Sequence, residues 1–276
     1  MNIFLLGAGY VGMTLLSSWQ NPRDLFTATT TSESKLREIS TQRNSTKPLL
    51  LKIDQNSNIA DQLDDFDVLI ITIAPTSGTS YQETYLESSQ AVKKSLEKRK
   101  KPLYLIYTSS TSVYGNQKGR TVSEDDTRNP ASESSKILCE VENNYLSMPN
   151  KYITTCVLRL GGIYGPDRTL ESRALKMSGK ELPGTGEEPT NHSYLEDITS
   201  AIEYCISHKL SGTYNLVSDD HPSRKDLYDQ LCKSLKVAPP LWKTSQNKTR
   251  TTNALVSNEK IKKAGFEFKQ QLPLIK

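Results

Sequence analysis

Short apolar segments alternate with amphipathic stretches through the first 160 residues of the chain. Six apolar runs predict β-strands, at residues 3–6, 25–29, 49–53, 68–73, 103–108 and 153–160. These runs are apolar and do not alternate with polar residues, which is typical of strands covered on both faces of a sheet. Helical periodicity lies between most of them, notably at 81–99 and 134–146. The β-α-β rhythm predicts a Rossmann-like α/β fold with a doubly wound parallel sheet.

The regular rhythm ends near residue 165, and a less regular α+β region with proline and glycine clusters follows it. We therefore predict an NAD(P)-binding domain over residues 1–165 and a smaller substrate-binding region over 166–276. The stretch 257–266 predicts a closing helix that ends at Gly265 and packs against the rest of the chain.

Composition narrows the class of protein further. The net charge of +4 is too mild to indicate a nucleic-acid partner, and charged residues make up an ordinary 24%. The longest apolar run, at 68–74, is far shorter than the roughly 20 residues of a membrane span. A strand begins at the first residues, which leaves no room for a signal peptide. The four cysteines form no CxxC pair, so we expect neither a metal site nor disulfides, and a reduced, cytoplasmic protein.

A glycine-rich loop follows the first predicted strand. The sequence "GAGYVG" places Gly7, Gly9 and Gly12 around Tyr10 and Val11, between that strand and an apolar helix. Gly7 permits the tight turn, Gly9 lets the backbone approach a pyrophosphate, and Gly12 allows close packing of helix on strand. In this strand–turn–helix context the loop predicts a dinucleotide site, with phosphates at the helix N-terminus.

The end of the second strand bears on the choice of dinucleotide. A site for NAD usually has an acidic residue there, about 20 residues after the loop, to bind the ribose hydroxyls. This chain has Thr31 and Ser32 instead, with Lys35 in the following helix. Hydroxyl groups and a cation favour the 2′-phosphate of NADP, although Glu33 lies close by. The alternative is that the hydroxyls only cap the helix.

Four further motifs occur in order along the chain: "YTSSTSVYG" (107–115), "NPASESSK" (129–136), "VLRLGGIYGP" (157–166) and "GTYNLV" (212–217). Together they resemble the extended short-chain dehydrogenase/reductase, or NAD-dependent epimerase/dehydratase, family over nearly the whole chain. The GxGxxG loop, in place of that family's usual GxxGxxG, resembles its atypical subgroups. The resemblance implies a nicotinamide cofactor, a small-molecule substrate and oxidoreductase or epimerase-like chemistry. The resemblance is also compatible with a homodimer.

The resemblance also implies roles for individual residues. Ser110 falls where the family has a hydroxyl that hydrogen-bonds the reacting substrate oxygen, and Lys136 falls where a lysine holds the nicotinamide ribose. Asp54 matches a contact to the adenine. The remaining matches line the cofactor, at Ala74, Pro75, Thr108 and Leu160. The expected substrate contacts are Thr111, Gly162, Arg168, His192 and Tyr194. Arg168 could equally be a solvated surface residue, and a loop histidine is more often structural.

The family's catalytic tyrosine is missing, because Ser132 stands four residues before Lys136. A serine hydroxyl is a much weaker acid than a phenol, and loss of a proton-transfer group costs about 10² to 10⁴ in rate. Three explanations remain open. Tyr114, Tyr164 or Tyr194, or Ser110 through a water, replaces the phenol. Alternatively, the protein binds NAD(P) without turnover and reports redox state to a partner. In the third, Ser132 and Lys136 form a hydrolytic dyad.

The first explanation leads to our functional prediction. We expect an NAD(P)-dependent oxidoreductase or epimerase/dehydratase-like protein that acts on a sugar nucleotide or a similar polar metabolite. Hydride transfer would involve C4 of the nicotinamide, with Ser110 orienting the substrate oxygen and Lys136 holding the ribose. The residues that choose the substrate lie in the irregular last third of the chain.

Overall fold

The computed structural model describes residues 1–43, 45–148, 150–243, 252–270 and 272. Its strands, numbered in chain order, are β1 (Asn2–Leu6), β2 (Leu25–Thr30), β3 (Thr46–Leu50), β4 (Val68–Ile71), β5 (Leu103–Ser110), β6 (Asn116–Val122), β7 (Ile153–Leu160), β8 (Gly162–Tyr164), β9 (Glu181–Pro183), β10 (His192–Tyr194), β11 (Gly212–Leu216), β12 (Leu241–Lys243) and β13 (Asn253–Val256).

The α-helices are α1 (Tyr10–Ser18), α2 (Ser34–Gln42), α3 (Ala60–Leu63), α4 (Ser88–Leu96), α5 (Glu133–Leu146), α6 (Leu170–Met177), α7 (Leu195–Ser207), α8 (Arg224–Leu235) and α9 (Glu259–Lys263). A π-helical segment, Gln82–Glu87, leads into α4, and a 3₁₀ turn, Thr111–Tyr114, follows β5. Within the described residues, no helix combines the length and the apolar character needed to cross a membrane.

A seven-stranded sheet in the order β11-β7-β5-β4-β1-β2-β3 confirms the predicted Rossmann-like architecture. The pairs from β5 to β3 are parallel, and one row of register partners crosses them through Tyr104, Val68, Ile3, Phe26 and Thr46. Consecutive apolar residues of β1 and β4 are buried, so both faces of the sheet are covered at these strands. This burial explains why their hydrophobic runs are continuous.

The predicted strand positions differ from the observed ones mainly at β3. The apolar run at 49–53 predicted that strand, whereas the structure pairs Thr46–Leu50 with β2. This is an edge strand, where Pro48 is tolerated because its missing N–H can face away from β2. Pairing with β2, and not the apolar run alone, therefore sets the bounds of β3.

The chain forms two compact units that alternate along the sequence. The first unit comprises Met1–Ser109, Lys136–Leu158 and Thr199–Tyr214. Its core includes the buried residues Phe4, Leu69, Val92, Leu105 and Val141. Full burial of such a side chain contributes about 1.5–3 kcal/mol. This core fixes the strand ends and helix starts from which the predicted dinucleotide loop emerges.

The second unit comprises Ser110–Ser135, Arg159–Ile198 and Asn215–Lys276. Three short parallel pairs, β8 with β10, β9 with β12 and β6 with β13, are its sheets. Helices α6 and α8 pack together through an apolar cluster that includes Leu170, Ala174, Leu227 and Leu231. The predicted closing helix is α9, which buries Ile261 and ends before Gly265. Gly265 itself has a φ of 97°. The predicted functional division at residue 165 stays a prediction.

Candidate functional site

The glycine loop forms a tight turn between β1 and α1. Gly7 has a φ of 101°, which side chains rarely adopt, and its N–H donates to Thr29 Oγ1 at 3.0 Å. A Cβ at Gly7 would lie 2.8 Å from the backbone nitrogen of Ile73, and one at Gly12 would lie 2.5 Å from the Gly7 carbonyl oxygen. The fold itself therefore requires glycine at both positions.

Gly9 differs from the other two glycines. It precedes α1 with a φ of −90°, and a Cβ placed there would have no protein atom within 4 Å. The N-terminus of α1 has no side-chain cap and no acidic residue in its first turn, so its positive dipole end is not compensated there. Open space beside an uncapped helix start fits a dinucleotide phosphate, which Gly9, Tyr10 and Val11 would border.

The residues expected to select the nucleotide follow β2. The Ser32 N–H donates to Thr30 Oγ1 at 3.1 Å, and the Ser32 hydroxyl shares a 2.8 Å hydrogen bond with Ser34. No side-chain hydrogen bond caps α2 at its N-cap residue, Glu33. Thr31 and Lys35 are exposed. The alternative that these hydroxyls cap the helix therefore receives no support, and the preference for NADP stays a prediction.

Asp54 lies in the loop four residues beyond the end of β3. Its carboxylate accepts hydrogen bonds from Ser57 Oγ at 2.9 Å and from the Asn56 N–H at 3.0 Å. These two hydrogen bonds lower the pKa of Asp54. The carboxylate therefore helps to fix its own exposed loop, and a contact to adenine stays a prediction.

The other cofactor candidates of the first unit lie after β4 and in β5. Ala74 and Pro75 follow β4, and Ala74 is exposed. Thr108 donates a 3.2 Å hydrogen bond from Oγ1 to the Ile71 carbonyl, which ties β5 to the end of β4. Leu160 is buried at the end of β7, in the part of that strand that belongs to the second unit.

Ser132 lies just outside α5, which begins at Glu133, and acts as its cap. Its Oγ accepts from the Ser135 N–H at 3.2 Å, and its own N–H donates to Ser135 Oγ at 3.0 Å. This reciprocal pair satisfies backbone donors at the helix start. Lys136 is exposed and lies in the first turn of α5. Ser132 therefore has a structural role at the start of α5.

Ser110 ends β5 and begins the 3₁₀ turn. Its Oγ accepts from the Ser112 N–H at 3.2 Å and is only half-buried. A few residues on, the Tyr114 hydroxyl donates to Asn215 Oδ1 and accepts from Arg159 Nη1, each at 2.8 Å. Burial raises the pKa of Tyr114. Tyr114 is thus held between two partners, whereas one face of Ser110 remains available.

A cavity of about 340 Å³ lies within the second unit. Four predicted site residues line it: Ser110, Thr111, Gly162 and His192. His192 is only 6% exposed, and its Nδ1 has no hydrogen-bond partner among the described residues. Burial, with Arg173 and His221 nearby, lowers the pKa of His192 to about 4. Its imidazole is therefore neutral near pH 7.

The remaining substrate candidates are not among the residues that line this cavity. Arg168 is exposed, and its backbone closes a tight turn with Gly165. The Tyr164 and Tyr194 rings lie 5.1 Å apart, centroid to centroid. Burial raises the pKa of both phenols. The structure thus brings Ser110 and His192 to one cavity but does not bring Arg168 there.

The cavity also has lining residues that sequence reasoning missed, among them Arg173, Asn191, Arg224 and Tyr228. Asn191 has a structural role, because it donates to the Ala254 carbonyl at 2.8 Å and accepts from the Val256 N–H at 2.9 Å. The two arginines lie on helices, where a charged residue in the sequence usually indicates a solvent-exposed face. No signal in the sequence separates them from surface cations.

Comparisons with known proteins agree with this fold. Residues 4–243 match the sequence profile of the 3-beta hydroxysteroid dehydrogenase/isomerase family. Solved structures with a similar fold include a UDP-glucuronic acid 4-epimerase and a dTDP-glucose 4,6-dehydratase, each in complex with NAD. Since the match covers most of the chain, the protein belongs to the 3-beta hydroxysteroid dehydrogenase/isomerase family. The resemblance drawn from the four sequence motifs is confirmed.

Individual relatives extend over the full length. The chain is 30% identical to Protein YeeZ of Escherichia coli (strain K12), over 99% of this chain and 97% of that protein. MoeE5 in complex with UDP-glucuronic acid and NAD has a TM-score of 0.81 at 18% identity, covering 99% of this chain and 96% of that one. UDP-glucuronic acid 4-epimerase from Bacillus cereus has a TM-score of 0.79 at 20% identity, covering 95% and 92%. At these identities the two structures show the fold alone.

Proposed function

We propose that the protein is an NAD(P)-dependent oxidoreductase or epimerase/dehydratase-like enzyme that acts on a sugar nucleotide or a similar polar metabolite. The observation that carries this proposal is the open space at Gly9 beside the uncapped start of α1, in a chain of this family. A bound nicotinamide supplies hydride transfer at its C4. The chain supplies the phosphate cradle at Gly7, Gly9 and Gly12, and Lys136 is proposed to hold the ribose.

NADP is the proposed dinucleotide, because Thr31, Ser32 and Lys35 follow β2 in place of an acidic residue. NAD remains the alternative, since MoeE5 and the Bacillus cereus epimerase are both described in complex with NAD. We assign dinucleotide binding to residues 1–165 and substrate binding to 166–276, and we treat a homodimer as the assembly to test by light scattering.

Substrate handling is assigned to the cavity of the second unit. Ser110 would orient the reacting oxygen through the side of its hydroxyl that faces the cavity. Tyr114 is a poor replacement for the missing phenol, because its hydroxyl already donates to Asn215 and accepts from Arg159. Proton transfer through a water at Ser110 is the assignment that these contacts favour, with Tyr164 and Tyr194 as the alternatives.

Titration of the protein with NADPH and NADH, followed by nicotinamide fluorescence, tests the proposal. We expect micromolar binding that Gly9→Trp abolishes. Gly9→Ala adds one methyl group that no protein atom opposes, so it should weaken binding without lowering the free energy of unfolding. The nucleotide that binds with the higher affinity identifies the cofactor. Absence of binding by either nucleotide would overturn the proposal.

A second candidate function is a non-catalytic NAD(P)-binding protein that reports redox state to a partner. The capping role of Ser132 favours it, because the position of the family's acid–base group is occupied by a side chain that stabilises a helix. Nucleotide-dependent binding to a partner, with no turnover across a substrate screen, would support this candidate. Turnover of any substrate would decide for the enzyme.

A further inference from the structure

Buried polar atoms that lack a partner are concentrated around the cavity of the second unit. Of nine such side-chain atoms among the described residues, two belong to residues that line this cavity, His192 and Arg224. Three more belong to residues that contact these two, namely Tyr164, Glu188 and Trp242. A buried polar atom without a hydrogen bond destabilises the folded state. Native structures keep few of them, so a cluster around one cavity indicates a polar ligand.

Two guanidinium groups, those of Arg173 and Arg224, line the cavity. Arg173 and His192 lie next to each other beside Gly162, where a built Cβ would lie 3.4 Å from both Arg173 Nη1 and His192 Cδ2. Arg173 also donates to the Ile163 carbonyl, which anchors its guanidinium on β8. The cation is therefore fixed beside a neutral imidazole.

Arg224 begins α8 and is the second cation. Its guanidinium carbon lies 5.0 Å from the centroid of the Trp242 ring. Its Nη1 is 3.9 Å from Glu188 Oε2, too far for a hydrogen bond, and both atoms are without hydrogen-bond partners in the described part of the chain. Glu188 therefore forms an ion pair with Arg224 but accepts no hydrogen bond from its Nη1. Together Arg173 and Arg224 place two guanidinium groups in the lining of the cavity.

The apolar part of the cavity lining comes from leucines of α6 and α8. Leu170, Leu227 and Leu231 are buried and line the same cavity, together with the ring of Tyr228. A volume of about 340 Å³ lies near the lower end of the roughly 300–1,000 Å³ found for small-molecule sites. The lining therefore suits a small ligand with one charged end and one apolar part.

We propose that this cavity binds a small organic anion, a phosphate monoester or a carboxylate on an apolar body, with Arg173 and Arg224 balancing its charge. His192 Nδ1 gives this ligand a neutral hydrogen bond, and the leucines contact its apolar part. The inference rests on the proposed function, and it narrows the substrate from a sugar nucleotide or similar metabolite to a smaller amphipathic anion. Ser110 lies in the same cavity and would meet the ligand there.

Isothermal titration calorimetry on the full chain tests the inference with defined probes. Phenyl phosphate and phenylacetate carry the anion, benzyl alcohol is their neutral counterpart, and UDP-glucose represents a sugar nucleotide. We expect at least one of the anions to bind about tenfold or more tightly than benzyl alcohol. Arg173→Gln and Arg224→Gln should each weaken that binding about tenfold, as expected for loss of a charge-assisted hydrogen bond.

Matched controls remove a charge from the same two helices outside the cavity lining. Lys176→Gln on α6 and Lys233→Gln on α8 should leave the affinity for the anion unchanged. If Arg173→Gln fails to fold because it loses the bond to Ile163, Arg224→Gln and Arg224→Lys carry the test. Equal binding of benzyl alcohol, preference for UDP-glucose, or equal losses in the control variants would overturn the inference.

NADPH titration of the same samples separates this inference from the proposed function. NADPH binding without anion binding would overturn the anion site and leave the proposed function standing. Anion binding without NADPH binding would overturn the proposed function and leave the anion site standing. The two results are independent because the glycine loop belongs to the first unit and the cavity to the second. The two failures are therefore distinguishable in one set of measurements.

Discussion

At the scale of single residues, His192 shows how burial changes the chemistry that a sequence suggests. A histidine in a loop motif reads as a proton carrier, since its ordinary pKa is near neutrality. Here burial, Arg173 and His221 together lower the pKa of His192 to about 4. The imidazole therefore serves as a neutral hydrogen-bonding group near pH 7 and not as a cation.

The lowered pKa of His192 predicts how stability depends on pH. The unfolded chain takes up this proton near pH 6.5 and the folded chain only near pH 4, so the unfolded state binds more protons between the two values. The contribution of His192 to stability is therefore present above pH 6.5 and is lost as the pH drops toward 4. The loss amounts to about 2 kcal/mol between pH 7 and pH 5.

Urea unfolding of the wild type and of His192→Gln at pH 7 and pH 5 measures this contribution. The variant should lose about 2 kcal/mol less than the wild type over that interval. His208→Gln, at an exposed position of the chain, is the control and should behave as the wild type. His221, whose pKa is also lowered by burial, adds a dependence of the same sign in all three proteins. Identical pH profiles for His192→Gln and wild type would contradict the prediction.

At the scale of elements, the start of α5 shows what Ser132 contributes to the stability of the fold. Replacing Ser132 with alanine removes the acceptor for the Ser135 N–H and should lower the free energy of unfolding by about 1 kcal/mol. Ser132→Asp retains a capping oxygen and should stay close to the wild type. Urea titrations of the three proteins measure the difference. An unchanged Ser132→Ala, or an equal loss in Ser132→Asp, would contradict the capping role.

Elements with a strong apolar signal could be predicted from the sequence, and elements made by long-range pairing could not. The run at 153–160 coincides with β7 because every residue from Cys156 to Leu160 is buried. The pairs β6 with β13 and β9 with β12 join short segments far apart in the chain, and β9 and β12 bury little. For the same reason the glycine loop was predictable from local spacing, whereas Arg173 and Arg224 reach one cavity only through the packing of α6 on α8.

At the scale of the whole molecule, the chain passes between the two units five times, at 109/110, 135/136, 158/159, 198/199 and 214/215. Strand β11, at one edge of the seven-stranded sheet, comes from residues 212–216, beyond the loss of regular rhythm near 165. A fragment of residues 1–165 would therefore lack β11 and leave the backbone of β7 as an unpaired edge of the sheet. The first unit is thus not a contiguous stretch of sequence.

Fragment 1–165 should accordingly fail to fold cooperatively, with weak near-ultraviolet circular dichroism and no NADPH binding. Fragment 1–214 is the matched control, because it contains every segment of the first unit, and we expect it to bind NADPH more tightly than 1–165 does. Thermal melts and nicotinamide fluorescence on both fragments and on the full chain measure the two properties. A folded 1–165 fragment that binds NADPH as tightly as the full chain would contradict this prediction. It would also show that residues 1–165 form an autonomous dinucleotide-binding domain that needs neither α7 nor β11.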